Sequence, residues 1–394
     1  MGQQHVILRS SHATRGRVSG RPGTPELEST VPVTMSAGVE DIESRHMPAV
    51  LRDPQVVAVA PVIPMKLIAP VDVPGTATPA ASTTAWGITA VGADTSPFSG
   101  ADVVVAVLDT GIDAGHPAFT GVQIVEKDFT TEGNGDLHGH GTHCAGTIFG
   151  RATDDTRIGV APGVTRALIG KVLGAGGGSS DRIVSAIQWA VDGGAHVISM
   201  SLGIDFPGLV ESLVGQGFPP ALATSRALEA YRANVQLFER LAALVRAQGA
   251  FGQTTLIVAA AGNESRRNEN QNFTIAVSPP AVSEGIVSVA ALQQGTSGLS
   301  VASFSNTGAI VSGPGVGVTS ASPGGGLVTM SGTSMATPHV AGVAALWIEK
   351  LGQAGSLNPV QLTSRLIASG VTDGLAPGFD PFDVGCGMVR APQD

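Results

Sequence analysis

Cysteine is nearly missing from this chain: of 394 residues only Cys144 and Cys386 carry a thiol. Their separation in sequence does not decide whether they come within bridging distance, and two free thiols are the expectation. Charge is scarce too. At 13% charged and 43% hydrophobic residues, the low-hydrophobicity, high-charge signature of disorder is excluded. The formal net charge of −9 comes without any block of Lys and Arg, which argues against a nucleic-acid partner and against an acidic membrane surface. No run of eighteen apolar residues occurs, and the opening MGQQHVILRS lacks the basic segment and apolar core of a secretory leader. The compartment stays open: these absences lean towards the cytoplasm, with secretion the alternative if a leader has been removed. A monomer is expected.

What is present has a clear order. Residues 1–80 hold short strand candidates at Val6–Leu8, Val50–Leu51 and Val56–Ile63, separated by the polar, Gly/Pro-rich stretch Ser10–Pro25. A run of Pro, Thr and Ala from Pro70 to Thr84 breaks regular structure, and the domain boundary is placed there, dividing 1–80 from 81–394. Beyond it, apolar runs at Val103–Leu108, Ala167–Val172, His196–Leu202, Thr255–Ala260 and Gly285–Ala291 read as strands. Between them, Ser180–Gly193 repeats its apolar residues every three or four positions, as one helix face does. This alternation predicts an α/β fold with a mostly parallel central sheet and helices on both faces. Ligands of such sheets gather at the carboxyl ends of the strands. One segment, 204–248, fits the alternation poorly and reads as an insertion: a loop over Ile204–Pro220, then a long helix over Ala221–Gln248.

Four polar residues sit where such a sheet would present them. Asp109 closes the strand in VVVAVLDTGID, His140 lies in HGHGTHCAG, Asn263 ends TLIVAAAGN, and Ser334 opens the apolar helix SGTSMATPHVAGVAALW. Each has a plain structural explanation, as turn residue or helix cap. Together they supply a hydroxyl to attack, an imidazole to take its proton, a carboxylate to fix the imidazole tautomer and an amide for the developing oxyanion, which is what serine-type hydrolysis requires. A helix start also offers free N–H groups and a positive dipole end, and Pro338 reads as a first-turn proline of the Ser334 helix. Rival chemistries lack their marks. His138, His140, His143 and Cys144 could ligate zinc, but no H-E-x-x-H or paired C-x-x-C accompanies them. Ser334 has no G-x-S-x-G elbow, and no Gly-Lys-Ser/Thr follows the glycine run at 176–178.

The runs VAVLDTGID, HGHGTHCAG, AAAGN and SGTSMATPHVAG resemble the signature segments of the subtilisin-like serine proteases, from about Trp86 to about Leu366. HGTHCAG with its cysteine, and SPPAVSEGIVSVAA at Ser278–Ala291, look closest to the proteinase K branch. The resemblance implies a three-layer subtilisin-like fold and a serine endopeptidase acting on polypeptides, with Asp109, His140 and Ser334 as triad and Asn263 as oxyanion donor. It also implies that Gly176, Gly177 and Gly178 on one side, and Ser201, Leu202 and Gly203 on the other, flank an extended substrate, with Ser278 near the floor of the first specificity pocket. Binding would then be strand addition, with main-chain bonds giving affinity and pockets giving selectivity.

Residues 50–68 are similar to the end of that family's propeptide. A small α+β N-terminal domain is therefore expected to act as intramolecular inhibitor or chaperone, with a cleavage junction within Pro70–Thr84. Catalysis of this kind needs no cofactor and no metal. Structural calcium is doubtful at the family's usual places, because Ala118 and Phe119 follow His116–Pro117 and Gln293 replaces a carboxylate, although Asp154–Asp155 could serve elsewhere. Two other functions compete: a processing protease or transpeptidase for one dedicated precursor, and a non-catalytic peptide-binding relative whose cleft is plugged by residues 1–80.

Overall fold

A computed structural model describes residues 3–11, 34–73, 83–249 and 253–394. Most of the stretch Ser10–Pro25, and residues 74–82 of the expected junction, lie outside them. The N-terminal part comprises β1 (Gln3–Ser11), β2 (Thr34–Ile42), the single-turn helix α1 (Met47–Val50) and β3 (Val56–Pro61), with the strands in the order β2-β1-β3 and antiparallel. Val50 thus ends a helical turn rather than starting a strand. Pro48 inside that turn is the physical reason, since its fixed φ suits a helix start and its missing N–H costs nothing there.

β4 (Pro64–Leu67) then crosses to the larger body. This begins with α2 (Trp86–Ala90), β5 (Val104–Asp109), β6 (Gln123–Asp128), α3 (His140–Phe149) and β7 (Arg166–Lys171), and continues with β8 (Gly178–Ser179), α4 (Ser180–Asp192), β9 (Val197–Met200) and β10 (Leu202–Ile204). α5 (Phe206–Gly215) and α6 (Pro220–Gly249) form the insertion, and β11 (Leu256–Ala260), β12 (Ile286–Gly295), β13 (Gly298–Val301) and β14 (Val311–Pro314) return to the sheet. β15 (Val318–Ala321) pairs β16 (Leu327–Met330) ahead of α7 (Thr333–Gln353), α8 (Pro359–Ala368) and α9 (Pro381–Val384).

The central sheet runs β13-β12-β11-β9-β5-β7-β6, with β14 also on β12, and is parallel except where β13 folds back. Alternation along β5 sends Val105 and Val107 into the core under α3 and α7, while Ala106 and Leu108 enter the core under α4 and α6. Burial on both faces is why these strands are continuously apolar, and the result is three layers. The N-terminal sheet joins the second core through Val6, Leu8, Met35 and Ala60. It is pinned there by Gln188, which bonds the backbone of Met35 and Ala37, and by Asn234 Nδ2 donating to Pro61 O at 2.9 Å.

Within the insertion, the loop expected over Ile204–Pro220 is largely the helix α5. Its Pro and Gly open the first turn instead of breaking it: Asp205 caps the helix by accepting from Gly208 N, and Pro207 sits in the first turn.

Candidate active site

At the carboxyl end of β5, Asp109 is 1% exposed and accepts from Thr110 N. Its Oδ1 lies 2.7 Å from His140 Nδ1, at the start of α3. The approach depends on glycine: a Cβ on Gly141 would stand 2.1 Å from Gly111 O, so only glycine lets the helix start meet the β5 turn. Asp136 fastens the same corner, taking hydrogen bonds from Thr110, Gly139 and Thr142. Burial alone would raise the Asp136 carboxyl, but these donors outweigh it and hold it below the ordinary range. For His140 burial disfavours the charged ring, yet the Asp109 carboxylate prevails and keeps the imidazole pKa well above 6.5. Its Nε2 is buried without a hydrogen-bond partner.

Ser334 is the second residue of α7. Pro338 lies deeper in that helix than the first turn, which corrects the reading from sequence. Having no N–H, it cannot bond the Ser334 carbonyl four residues back. That oxygen is instead approached by Ser201 Oγ at 3.4 Å and Cys144 Sγ at 3.5 Å. Cys144 also lies 3.7 Å from His140 Nδ1, so one buried thiol touches both the histidine and the serine segments. Burial pushes this thiol up. Both cysteines are free, Cys144 buried and Cys386 exposed.

Asn263 follows β11 with its amide already oriented, since Oδ1 accepts from Thr333 N at 2.9 Å and from Thr333 Oγ1 at 2.8 Å. Its Nδ2 is thereby turned outward and reaches Ala69 O at 2.8 Å. Thr333 is a neighbour that its position beside Ser334 could have signalled, but only the fold shows that it orients Asn263.

The cleft between β8 and β10 is filled by the chain itself. β4 pairs antiparallel with both: Pro64 and Met65 lie opposite Ser179 and Gly178, while Met65, Lys66 and Leu67 lie opposite Ile204, Gly203 and Leu202. Ile68 N donates to Ser201 O at 3.2 Å, and Ser334 Oγ lies 2.6 Å from Ile68 O. Among the expected flanking residues, Gly177, Gly178, Ser201, Leu202 and Gly203 meet this strand. Gly177 has φ +80°, and a Cβ there would press on Met65 O at 2.9 Å. Gly176 does not meet the strand. It sits at the tip of the turn closed by mutual Gly174–Gly177 hydrogen bonds, with open space over it. Ile68 is buried beside Gly203 and Ser278: a Cβ on Gly203 would lie 2.9 Å from Ser278 Oγ and 3.7 Å from Ile68 Cδ1. Leu67 points the other way, into a pocket with Thr110, His138, Lys171 and Leu173.

The histidine run does not converge on one point. His143 is buried facing Val318 O at 3.0 Å, and burial lowers its pKa to about 3. Among the described residues, one group of three side chains could hold a metal ion, Asp109, His140 and Cys144, and there the Asp109–His140 contact already engages Nδ1. At the doubtful calcium places Ala118 and Phe119 are buried, and the Gln293 amide bonds Ser300 Oγ.

Comparison with known proteins agrees with this geometry. The model of the subtilase family of S8 peptidases matches residues 100–387. Subtilisin DY of Bacillus licheniformis is 33% identical over 321 residues, covering 79% of this chain and 98% of that protein. An intracellular serine protease of Paenibacillus polymyxa is 32% identical over 292 residues, covering 71% and 78%. Subtilisin Savinase of Lederbergia lenta is 36% identical over 276 residues, covering 67% and 84%. The chain belongs to the subtilase family and is a serine endopeptidase whose substrates are polypeptides.

Proposed function

We propose that Ser334 is the nucleophile, His140 its general base, Asp109 the carboxylate that orients the base, and Asn263 with the Ser334 N–H the oxyanion donors. The N-terminal segment, on the same reading, is an intramolecular inhibitor whose last strand follows the substrate path. One observation carries this: Ser334 Oγ is 2.6 Å from Ile68 O on a strand added between β8 and β10.

Attack would form a bond from Ser334 Oγ to the Ile68 carbonyl carbon as the hydroxyl proton passes to His140 Nε2. The Ile68–Ala69 bond then breaks, the same proton goes to the Ala69 amine, and water releases the acyl group. Such catalysis requires no metal.

The arrangement also accounts for restraint. Ser334 Oγ faces the Ile68 oxygen while Nε2 has no partner, and Asn263 holds the carbonyl one residue beyond, at Ala69. The hydroxyl must turn to His140, and the Ile68 oxygen must shift to Asn263, before reaction. The junction is accordingly assigned to Ile68–Ala69, just ahead of the stretch 70–84 expected from composition.

N-terminal sequencing of purified protein after incubation tests the reading. A new terminus at Ala69, lost in Ser334→Ala, is expected, together with a fluorophosphonate adduct on Ser334. An adduct on another residue would refute the assignment.

A further inference from the structure

Lys66 is the one charged side chain on the Pro64–Ala69 segment that fills the cleft. Alternation along a strand puts it on the same face as Ile68, two residues on. On that face its Nζ lies 3.2 Å from Asp205 Oδ1 and 3.6 Å from Glu264 Oε1. The two carboxylates come from different segments, Asp205 directly after β10 and Glu264 directly after Asn263. Both are oriented by contacts that do not involve the lysine. Asp205 caps α5 by accepting from Gly208 N, and Glu264 Oε2 accepts from Asn306 Nδ2 at 2.8 Å while Glu264 N donates to Asn306 Oδ1 at 3.0 Å.

We infer that Asp205 and Glu264 form an acidic subsite that selects polypeptide substrates carrying Lys or Arg two residues before the residue whose carbonyl is attacked. This rests on the reading that the Pro64–Ala69 path is the substrate path. The side chains of Lys66, Asp205 and Glu264 remain 38%, 35% and 38% exposed. Solvent therefore screens each pair, and the subsite confers a preference rather than a requirement. A cationic side chain should raise kcat/KM about three- to tenfold over its neutral counterpart, by the usual worth of such pairs. Raising ionic strength from 0.1 M to 1 M shortens the screening length from about 10 Å to about 3 Å, so the preference should shrink with salt.

The experiment compares three fluorogenic peptides built on Pro-Met-Lys-Leu-Ile, with Lys, Gln or Glu at the third position, cleaved at low and high salt by the protein after the incubation that yields the Ala69 terminus. The expected order is Lys above Gln above Glu, compressed at 1 M NaCl. In the double variant Asp205→Asn, Glu264→Gln the ratio of Lys to Gln peptide should fall towards one, whatever the overall rate, and Asp205→Lys should favour the Glu peptide. Equal kcat/KM for all three peptides, with cleavage still dependent on Ser334, would overturn the acidic subsite and leave the proposed mechanism standing. A lysine preference that survives in Ser334→Ala would sink the mechanism and leave the subsite. Failure to cleave any of the three refutes both.

Discussion

The carbonyl oxygen of Ser334 is approached by the hydroxyl of Ser201 at 3.4 Å, in the place where an α-helix would ordinarily supply an amide. Pro338 is the cause, because it removes the donor four residues on. Ser201 thereby serves two neighbours: its side chain meets the start of the Ser334 helix, and its carbonyl receives Ile68 N from the strand in the cleft.

Replacing Ser201 with Ala should loosen the start of the Ser334 helix without disturbing the main-chain bond to Ile68. The loss is one hydrogen bond, about 1 kcal/mol of stability. Denaturant titration should show that decrease, and steady-state kinetics should show a lower kcat with little change in KM. A rise in KM alone would contradict the role.

Asn263→Leu should leave substrate affinity nearly intact and reduce kcat by about 10²–10³-fold, the magnitude that belongs to removing such a donor in subtilisin itself. Kinetics on a soluble peptide substrate measure it. The residual rate should still vanish in Ser334→Ala.

The pH profile follows from the Asp109–His140 contact. A general base must be unprotonated, and the carboxylate holds the imidazole pKa above 6.5, so the ring becomes neutral only at higher pH. The rising limb of kcat/KM should therefore lie above 6.5, and Asp109→Asn should move it down while lowering the rate by about 10⁴-fold, as for the corresponding change in another serine protease.

Gly203→Val should narrow the pocket beside Ile68, where even a Cβ would stand 2.9 Å from Ser278 Oγ. Peptides with Ile before the cleaved bond should lose kcat/KM, and those with Ala should lose less. The ratio between the two reports the pocket independently of any general damage.

Much of this molecule was legible in its sequence, for physical reasons that differ by region. Parallel strands buried on both faces leave continuous apolar runs, so β5, β7, β9 and β11 were marked within a residue or two. Asp109, His140, Asn263 and Ser334 are legible only as a set, because together they supply the residue types of serine hydrolysis where strands end and helices begin, in runs that resemble the family's signature segments. β2 was missed, since only its ends are buried and its composition is unremarkable. α5 was hidden by Pro207 and Gly208, which act as helix openers only because Asp205 caps them. The strand β4 beside Ser334 carries no local signal of its own, being four residues long and paired only with residues far away in the sequence. Lys66 and Asp205 are separated by 139 positions, and no local pattern could join them.

The strand seated between β8 and β10 bears on solubility. Its departure would uncover two unpaired edges, the kind of surface that recruits other chains into aggregates. Here those edges are only two and three residues long, and Gly178 lies in one and Gly203 in the other. Such short, glycine-containing margins offer too little template for fibrous self-association.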